Sequence, residues 1–207
     1  MFTFALNKEH MFTGIIEGLG EVTAIQKEGS NIHYTIKSQF THELKIDQSV
    51  AHDGVCLTVV DCQNQKYTVT AIDETLKRTR LRNWQVGTLV NLERCMKLND
   101  RLDGHIVQGH VDTVGVCEEV NEIDGSWEFK FSYLDDQVTV PKGSITVNGV
   151  SLTVVESNAN FFSVCIIPYT FEHTNFKFLQ KGDLVNLEFD IIGKYVARLL
   201  QERGKGV

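Results

Sequence analysis

Four side chains with thiol or hydroxyl chemistry recur in one frame: Cys56 and Thr58 in DGVCLTVV (53–60), Ser151 and Thr153 in NGVSLTVV (148–155). Residues two apart on a strand share a face. Each pair therefore presents its polar atoms together, while Leu57 and Leu152 turn the other way, toward a core. A thiolate is the stronger nucleophile or base of the two chemistries, so the exchange of cysteine for serine separates copies that are otherwise alike. One such strand alone would mean little. Two with the polarity kept in phase point to two related ligand sites. GHIVQGH (104–110) adds His105 and His110. Imidazole titrates near neutral pH, which suits acid–base work; a structural histidine bonded to backbone fits the stretch equally well. A zinc pair on one helix face needs a spacing of four and further ligands close by, and the stretch offers neither. Glu93, Glu188 and Asp190 close the repeated NLE segments and read as solvated surface charges. The chain has no Walker loop, Rossmann fingerprint, G-x-S-x-G elbow or H-E-x-x-H, which disfavours phosphoryl transfer, hydride transfer and metalloproteolysis.

The elements that position these residues come in two copies. At one constant shift Ser49 falls on Ser144, Thr75 on Thr170, Thr79 on Thr174, VGTLVNLE (86–93) on KGDLVNLE (181–188), and GIIEGLGEV (14–22) on GHVDTVGVC (109–117). A unit this long is a small domain, not a solenoid repeat. Short runs rich in Val, Ile, Thr, Tyr and Phe mark the strands: NIHYTIKS, GVCLTVVD, KYTVTAI and TLVNLE, then SWEFKFSY, QVTV, SITV, GVSLTVVE, FFSVCII and DLVNLE. Asn64, Gly87, Asp124-Gly125 and Asn148-Gly149 supply turns. This spacing predicts a small all-β barrel per unit, closed or nearly so, which leaves no exposed edge. DETLKRT and PYTFEHTNF each suit one helical turn. Periodicity changes only in DIIGKYVARLLQERGKG, whose apolar pairs at 191/192, 195/196 and 199/200 form one stripe of a terminal helix. That stripe packs on its own barrel or on another chain. The domain boundaries expected are an N-terminal extension over 1–10, barrels over 11–105 and 106–190, and a terminal helix and tail over 191–207.

Among 207 residues, 42% are hydrophobic and 23% charged, ordinary values for a globular chain. The net charge of −7 argues against nucleic-acid binding. No apolar run reaches the roughly 20 residues of a membrane helix, and the first ten residues lack the pattern of a secretory signal. The expected location is the cytoplasm. Five cysteines without a C-x-x-C pair suit neither a zinc site nor a disulfide framework.

MFTGIIEGLGEV (11–22), SVAHDGVCLTVV (49–60), GHIVQGHVD (104–112), NGVSLTVV and PYTFEHTNF (168–176) together resemble riboflavin synthase of the α-chain type over about residues 11–200. The resemblance implies two six-stranded Greek-key barrels and a C-terminal helix that joins three chains. It implies dismutation of two 6,7-dimethyl-8-ribityllumazine molecules, without metal or organic cofactor, in a site shared between neighbouring subunits. Lumazine synthase enters as a further partner. Carried over by residue, the N-barrel pocket comprises Gly14, Ile15 and Ile16, then Cys56, Leu57 and Thr58, with Thr70, Ala71, Ile72, Asp73, Glu74 and Thr75. The C-barrel pocket comprises Gly109, His110 and Val111, then Ser151, Leu152 and Thr153, with Cys165, Ile166, Ile167, Pro168, Tyr169 and Thr170. Lys142 joins it, where Asp47 stands in the first copy. Ser49, Cys56 and His110 match positions implicated in turnover, with His105, Asp190 and the Phe12 arm beside them. Asp47-Gln48 departs from the glycine-containing turn usual in the family. Two other readings are a non-catalytic lumazine- or flavin-binding protein of the same fold, and a β-barrel interaction module.

Overall fold

The computed structural model describes residues 11–203; the ten-residue extension and the last residues of the tail lie outside them. Six strands form the first unit: β1 (Gly18–Glu28), β2 (Asn31–Lys37), β3 (Ser49–His52), β4 (Val55–Gln63), β5 (Lys66–Ala71) and β6 (Leu89–Arg94). Six more form the second: β7 (Thr113–Ile123), β8 (Ser126–Tyr133), β9 (Ser144–Val147), β10 (Val150–Asn158), β11 (Phe161–Ile166) and β12 (Leu184–Phe189). Each set closes into an antiparallel barrel, in the order β1-β2-β5-β4-β3-β6 and its counterpart. Strands β6-β3-β4-β5 and their counterparts make the Greek key. The two expected helical turns are α1 (Asp73–Arg78) and α2 (Pro168–His173), and the terminal helix is α3 (Ile191–Arg203). QVTV, read as a strand, is instead an irregular run in the connection from β8 to β9. Closure uses every edge, Pro141 follows it without an N–H, and Thr139 Oγ1 bonds the Ser157 hydroxyl at 2.7 Å.

Alternation along the strands fills both barrels. Leu57 and Leu152 are buried in the two cores, as their phase required. The fillings differ. Phe129, Phe131, Phe162 and Phe176 pack the second barrel, with Phe129 edge-on to Phe176 at 4.9 Å. In the first barrel, Tyr67 and His52 replace Phe162 and Val147. His52 Nδ1–H donates to Val50 O at 2.9 Å, leaving Nε2 to accept from the Tyr67 hydroxyl at 2.8 Å. Burial pushes this imidazole down to about 4, so it is neutral and structural.

The barrels meet through the turns that precede the chemical strands. Asp53-Gly54 and Asn148-Gly149 all have positive φ (47°, 79°, 46° and 80°), the requirement of a two-residue hairpin of type I′. The turns lie against each other so closely that a Cβ on Gly149 would stand 2.6 Å from Gly54 N. Around them the buried asparagines cross-link the barrels in near-twofold fashion. Asn91 Nδ2 donates to Asn148 O and Asn186 Nδ2 to Asp53 O, both at 2.9 Å. Arg80 N donates to Asn186 Oδ1 at 2.8 Å, and Asn175 N to Asn91 Oδ1 at 2.7 Å. An ion pair breaks this symmetry: Asp53, opposite the neutral Asn148, pairs at 3.3 Å with Arg80, opposite the neutral Asn175.

Helix α3 carries its apolar stripe outward. Ile192, Tyr195, Val196, Leu199 and Leu200 are each more than half exposed, so the stripe does not pack on the chain's own barrel. The helix is tied at its start, where Asp190 Oδ1 accepts from Ile192 N at 2.9 Å and Lys194 pairs with Asp112 at 2.6 Å.

Candidate active site

Both chemical strands begin directly after the touching turns, and each is capped by an arm that comes from the other copy. The N-terminal arm and the interbarrel segment run antiparallel, with Phe12 N donating to Val107 O at 2.8 Å and Val107 N to Phe12 O at 3.1 Å. Gly14 O then accepts from Ser151 N at 2.8 Å, while Gly109 O accepts from Cys56 N at 2.9 Å. Ile16 packs against the C-barrel core and Val111 against the N-barrel core. This corrects the grouping expected above: Gly14, Ile15 and Ile16 accompany Ser151, and Gly109, His110 and Val111 accompany Cys56. The arms cross because Phe12, at 0% exposure, joins Val107 and Ala51 in a third small core between the arms and the N-barrel, with Cys56 and Cys95 at its margin.

Two carboxylates hold the crossing, and the sequence had placed them on the surface. Glu93 accepts from Thr13 N (2.6 Å), Thr13 Oγ1 (2.8 Å) and Gly14 N (2.9 Å). Glu188 accepts from Gln108 N (2.7 Å) and His110 N (2.9 Å). They are 5% and 3% exposed. Burial pushes both up, Glu188 to about 7, against the pull of those N–H groups. Their identical place in the two NLE segments was the available signal.

The halves differ chemically. Beside Ser151 stands His105, its Nδ1 2.7 Å from the hydroxyl and its Nε2 3.3 Å from Thr146 Oγ1. Burial lowers the His105 pKa, partly opposed by the charge of Asp190, which favours the neutral ring beside the hydroxyl. Thr146 was missed because Ala51 holds its place in the first copy, where the repeat breaks. Beside Cys56 stand the Cys95 thiol, pushed up to about 12 largely by burial, and the buried Ser49 hydroxyl, which faces the Cys56 sulfur. Burial also raises Cys56; Ser49 opposes it and the charge of Glu188 adds to it. The environment therefore keeps Cys56 a thiol near neutral pH, against the thiolate its type suggested.

The remaining expected residues form two open faces. Thr58, Ile72, Glu74 and His110 are exposed on the first, with Asp73 and Thr75 in the first turn of α1. Thr153, Cys165, Ile167, Pro168, Tyr169, Ile15 and Lys142 are exposed on the second, with Thr170 partly so. Ala71 and Ile166 point into the cores instead. Thr70 Oγ1 is engaged by His33 Nδ1 at 2.8 Å. Asp47 and Lys142, at equivalent turns, share positive φ of 69° and 66°, so the turn keeps its left-handed residue although neither is glycine. A cleft of about 710 Å³ opens behind the arm beside Ser49, Glu93 and Cys95. Among the described residues no helix is long and apolar enough to cross a membrane.

Two closed barrels that exchange arms over matching polar strands define a tandem-barrel ligand-binding protein with two related, unlike half-sites. The lumazine binding domain model matches residues 13–95 and again 108–190. Riboflavin synthase of Actinobacillus pleuropneumoniae is 40% identical over 93% of this chain and 91% of that protein. That of Mycobacterium tuberculosis (strain H37Rv) is 42% identical over 94% and 100%. The chain belongs to the riboflavin synthase family, built of two lumazine binding domains. The fold is shared with LumP, solved with 6,7-dimethyl-8-(1'-D-ribityl)lumazine, at a TM-score of 0.79 and 24% identity over 86% of this chain and 98% of that one.

Proposed function

We propose that the chain is a cytoplasmic riboflavin synthase, a transferase that dismutates two 6,7-dimethyl-8-ribityllumazine molecules. A four-carbon unit passes from one to the other, giving riboflavin and 5-amino-6-ribitylamino-pyrimidinedione; atoms balance without an oxidant, a metal or a cofactor. The carrying observation is the pair of half-sites with one backbone frame and different chemistry. Two identical molecules can be bound alike through the repeated strands and still meet different fates. Holding both rings in contact turns a bimolecular encounter into an oriented one. In this reading His105, through Ser151, takes a proton from the substrate on the C-barrel half. The Cys56 half offers a protonated thiol and the His110 imidazole. Both faces are open in the single chain, with Ile72, Ile167 and Tyr169 more than half exposed at their rims. That suits a composite site in which the N-barrel of one subunit closes on the C-barrel of the next. Association with lumazine synthase rests on the family resemblance.

Incubating the purified chain with the lumazine and following riboflavin absorbance, with and without chelator, tests the activity. Turnover in both is expected; tight binding without product would instead make the protein a non-catalytic lumazine carrier. Within the same assay, Cys56→Ser is expected to lower turnover more than Ser151→Cys.

The exposed stripe of α3 gives the assembly prediction. Three copies of the helix, packing Ile192, Val196, Leu199 and Leu200 together, would remove that stripe from water. Each buried aliphatic side chain stabilises by about 1.5–3 kcal/mol. A chain ending at Asp190 should sediment as a monomer with both barrels folded and its turnover lost, because the composite site needs a neighbour. A truncated chain that still sediments as a trimer would remove the helix from the interface.

A further inference from the structure

Each arm makes backbone hydrogen bonds of both senses within one or two peptide units. Its N–H groups go to a carboxylate of one barrel, and its glycine carbonyl goes to the reactive strand of the other. Glu188, on β12, grips Gln108 N and His110 N, and Gly109 O between them receives Cys56 N. Glu93, on β6, grips Thr13 N and Gly14 N, and Gly14 O receives Ser151 N. We propose that Glu188 and Glu93 are positioning residues that act across the barrels: Glu188 sets Cys56, and Glu93 sets Ser151 with its His105. This rests on the reading that these residues belong to the reacting site, and it adds two residues to that machinery.

The geometry leaves little slack along either path. Both carboxylates sit near the ends of buried core strands, so their anchor is rigid. Gly109 and Gly14 hold φ of +77° and +78°, and a Cβ on either would lie 2.6 Å or less from the Cβ of Cys56 or Ser151. The arm therefore lies directly on the strand that it bonds, and a shift at the carboxylate moves the carbonyl. A carboxylate alone fits this place. Its two oxygens both accept, each from an N–H; in an amide, one of them would become an NH₂ group facing an N–H donor. A buried N–H that loses its acceptor is left unsatisfied, so the arm that carries it loosens.

Alkylation of Cys56 by iodoacetamide reads the first path without reference to catalysis. Its rate would be measured peptide by peptide by mass spectrometry in the full chain, beside thermal unfolding of each variant. Glu188→Gln is expected to loosen the arm and speed Cys56 alkylation about tenfold, the equivalent of about 1.4 kcal/mol. Glu93→Gln should leave that rate within about twofold of wild type, although it lies on the barrel that carries Cys56. Both variants should lower kcat with little change in KM. Glu188→Asp keeps the acceptor chemistry one methylene short and should speed alkylation less, which preserves the test if Glu188→Gln does not fold. Equal effects of the two glutamate variants on Cys56, or no effect of Glu188→Gln and Glu188→Asp, would overturn the cross-barrel assignment. If the alkylation pattern holds while the wild type makes no riboflavin, the positioning stands and the proposed activity falls.

Discussion

Alanine at Gly109 is expected to lower turnover about a hundredfold while both barrels stay folded. The methyl group would enter at 2.6 Å from Cys56 Cβ and 3.0 Å from both Cys56 N and the Phe12 ring. No rotamer relieves this, since a Cβ has none, and two of the three obstacles belong to a strand of the barrel. The backbone adds its own resistance, because φ of +77° disfavours any residue with a Cβ by about 1 kcal/mol or more. The arm must lift, and the Gly109 O to Cys56 N hydrogen bond goes with it. A displacement of about 1 Å at a reacting centre can lose about a hundredfold in rate. The fold tolerates the change because Gly109 and its arm neighbour Val107 belong to no barrel core, Val107 lying in the small third core, and only Val111 further along the arm reaches the N-barrel core. Gly14→Ala should act alike on the Ser151 side, where the new Cβ would lie 2.5 Å from Ser151 Cβ. Gly87 supplies the control: its φ is +94° with nothing within 4 Å, so Gly87→Ala carries backbone strain alone. It should lower the unfolding midpoint slightly and spare turnover. Turnover of Gly109→Ala close to wild type would show that the crossed arm is not part of the working site.

The repeat made much of this legible. Its constant shift marked two units, the alternation in GVCLTVVD and GVSLTVVE placed Leu57 and Leu152 inward, and the turn residues bounded the strands. The arms and the polar strands were legible as two sets of residues, but which arm lies on which strand was not. Gly14 precedes β1 in the chain and was grouped with its own copy, yet its carbonyl bonds a strand more than a hundred residues away. Sequence order carries no information on such an exchange, because either assignment satisfies the same local pattern. His105 and His110 lie in one short stretch, read either as acid–base groups or as structural histidines. The structure sends His105 to Ser151, and the N–H of His110 to Glu188. Glu93 and Glu188 were misplaced for a related reason: a carboxylate at a strand end is usually solvated, and only the arm lying over it makes it buried. The environment of Cys56 was not legible either: burial and a nearby carboxylate favour the protonated sulfur, with Ser49 acting the other way.

Arg80→Ala is expected to destabilise the chain by about 3–5 kcal/mol at pH 8, and by much less at pH 5. Asp53 is fully buried at the contact of the two turns, where Oδ1 accepts from Asn91 N at 2.8 Å and Asn175 Nδ2 at 2.9 Å. Burial pushes its pKa up to about 6 even with Arg80 beside it, and Arg80 is the largest influence in the other direction. An acid raised in the folded state binds its proton more tightly there than in the unfolded chain. Its contribution to stability is therefore full below the unfolded value near 4 and is lost as pH rises through about 6. Removing the guanidinium moves the folded pKa higher still and leaves an ionised carboxylate without its cation at pH 8. At pH 5 Asp53 is already protonated, and the variant loses mainly the bond from Arg80 Nη1 to Leu184 O. A second change, Asp53→Asn, reproduces the neutral Asn148 of the other turn and should recover most of the loss at pH 8, since Asn91 N can still donate to a side-chain oxygen as Asn186 N does to Asn148 Oδ1 at 2.9 Å. Urea unfolding of the wild type, Arg80→Ala and the double variant at pH 5 and pH 8 measures all of this. A loss that is the same at both pH values, or one that Asp53→Asn fails to relieve, would mean that Arg80 acts through packing and not through the charge of Asp53.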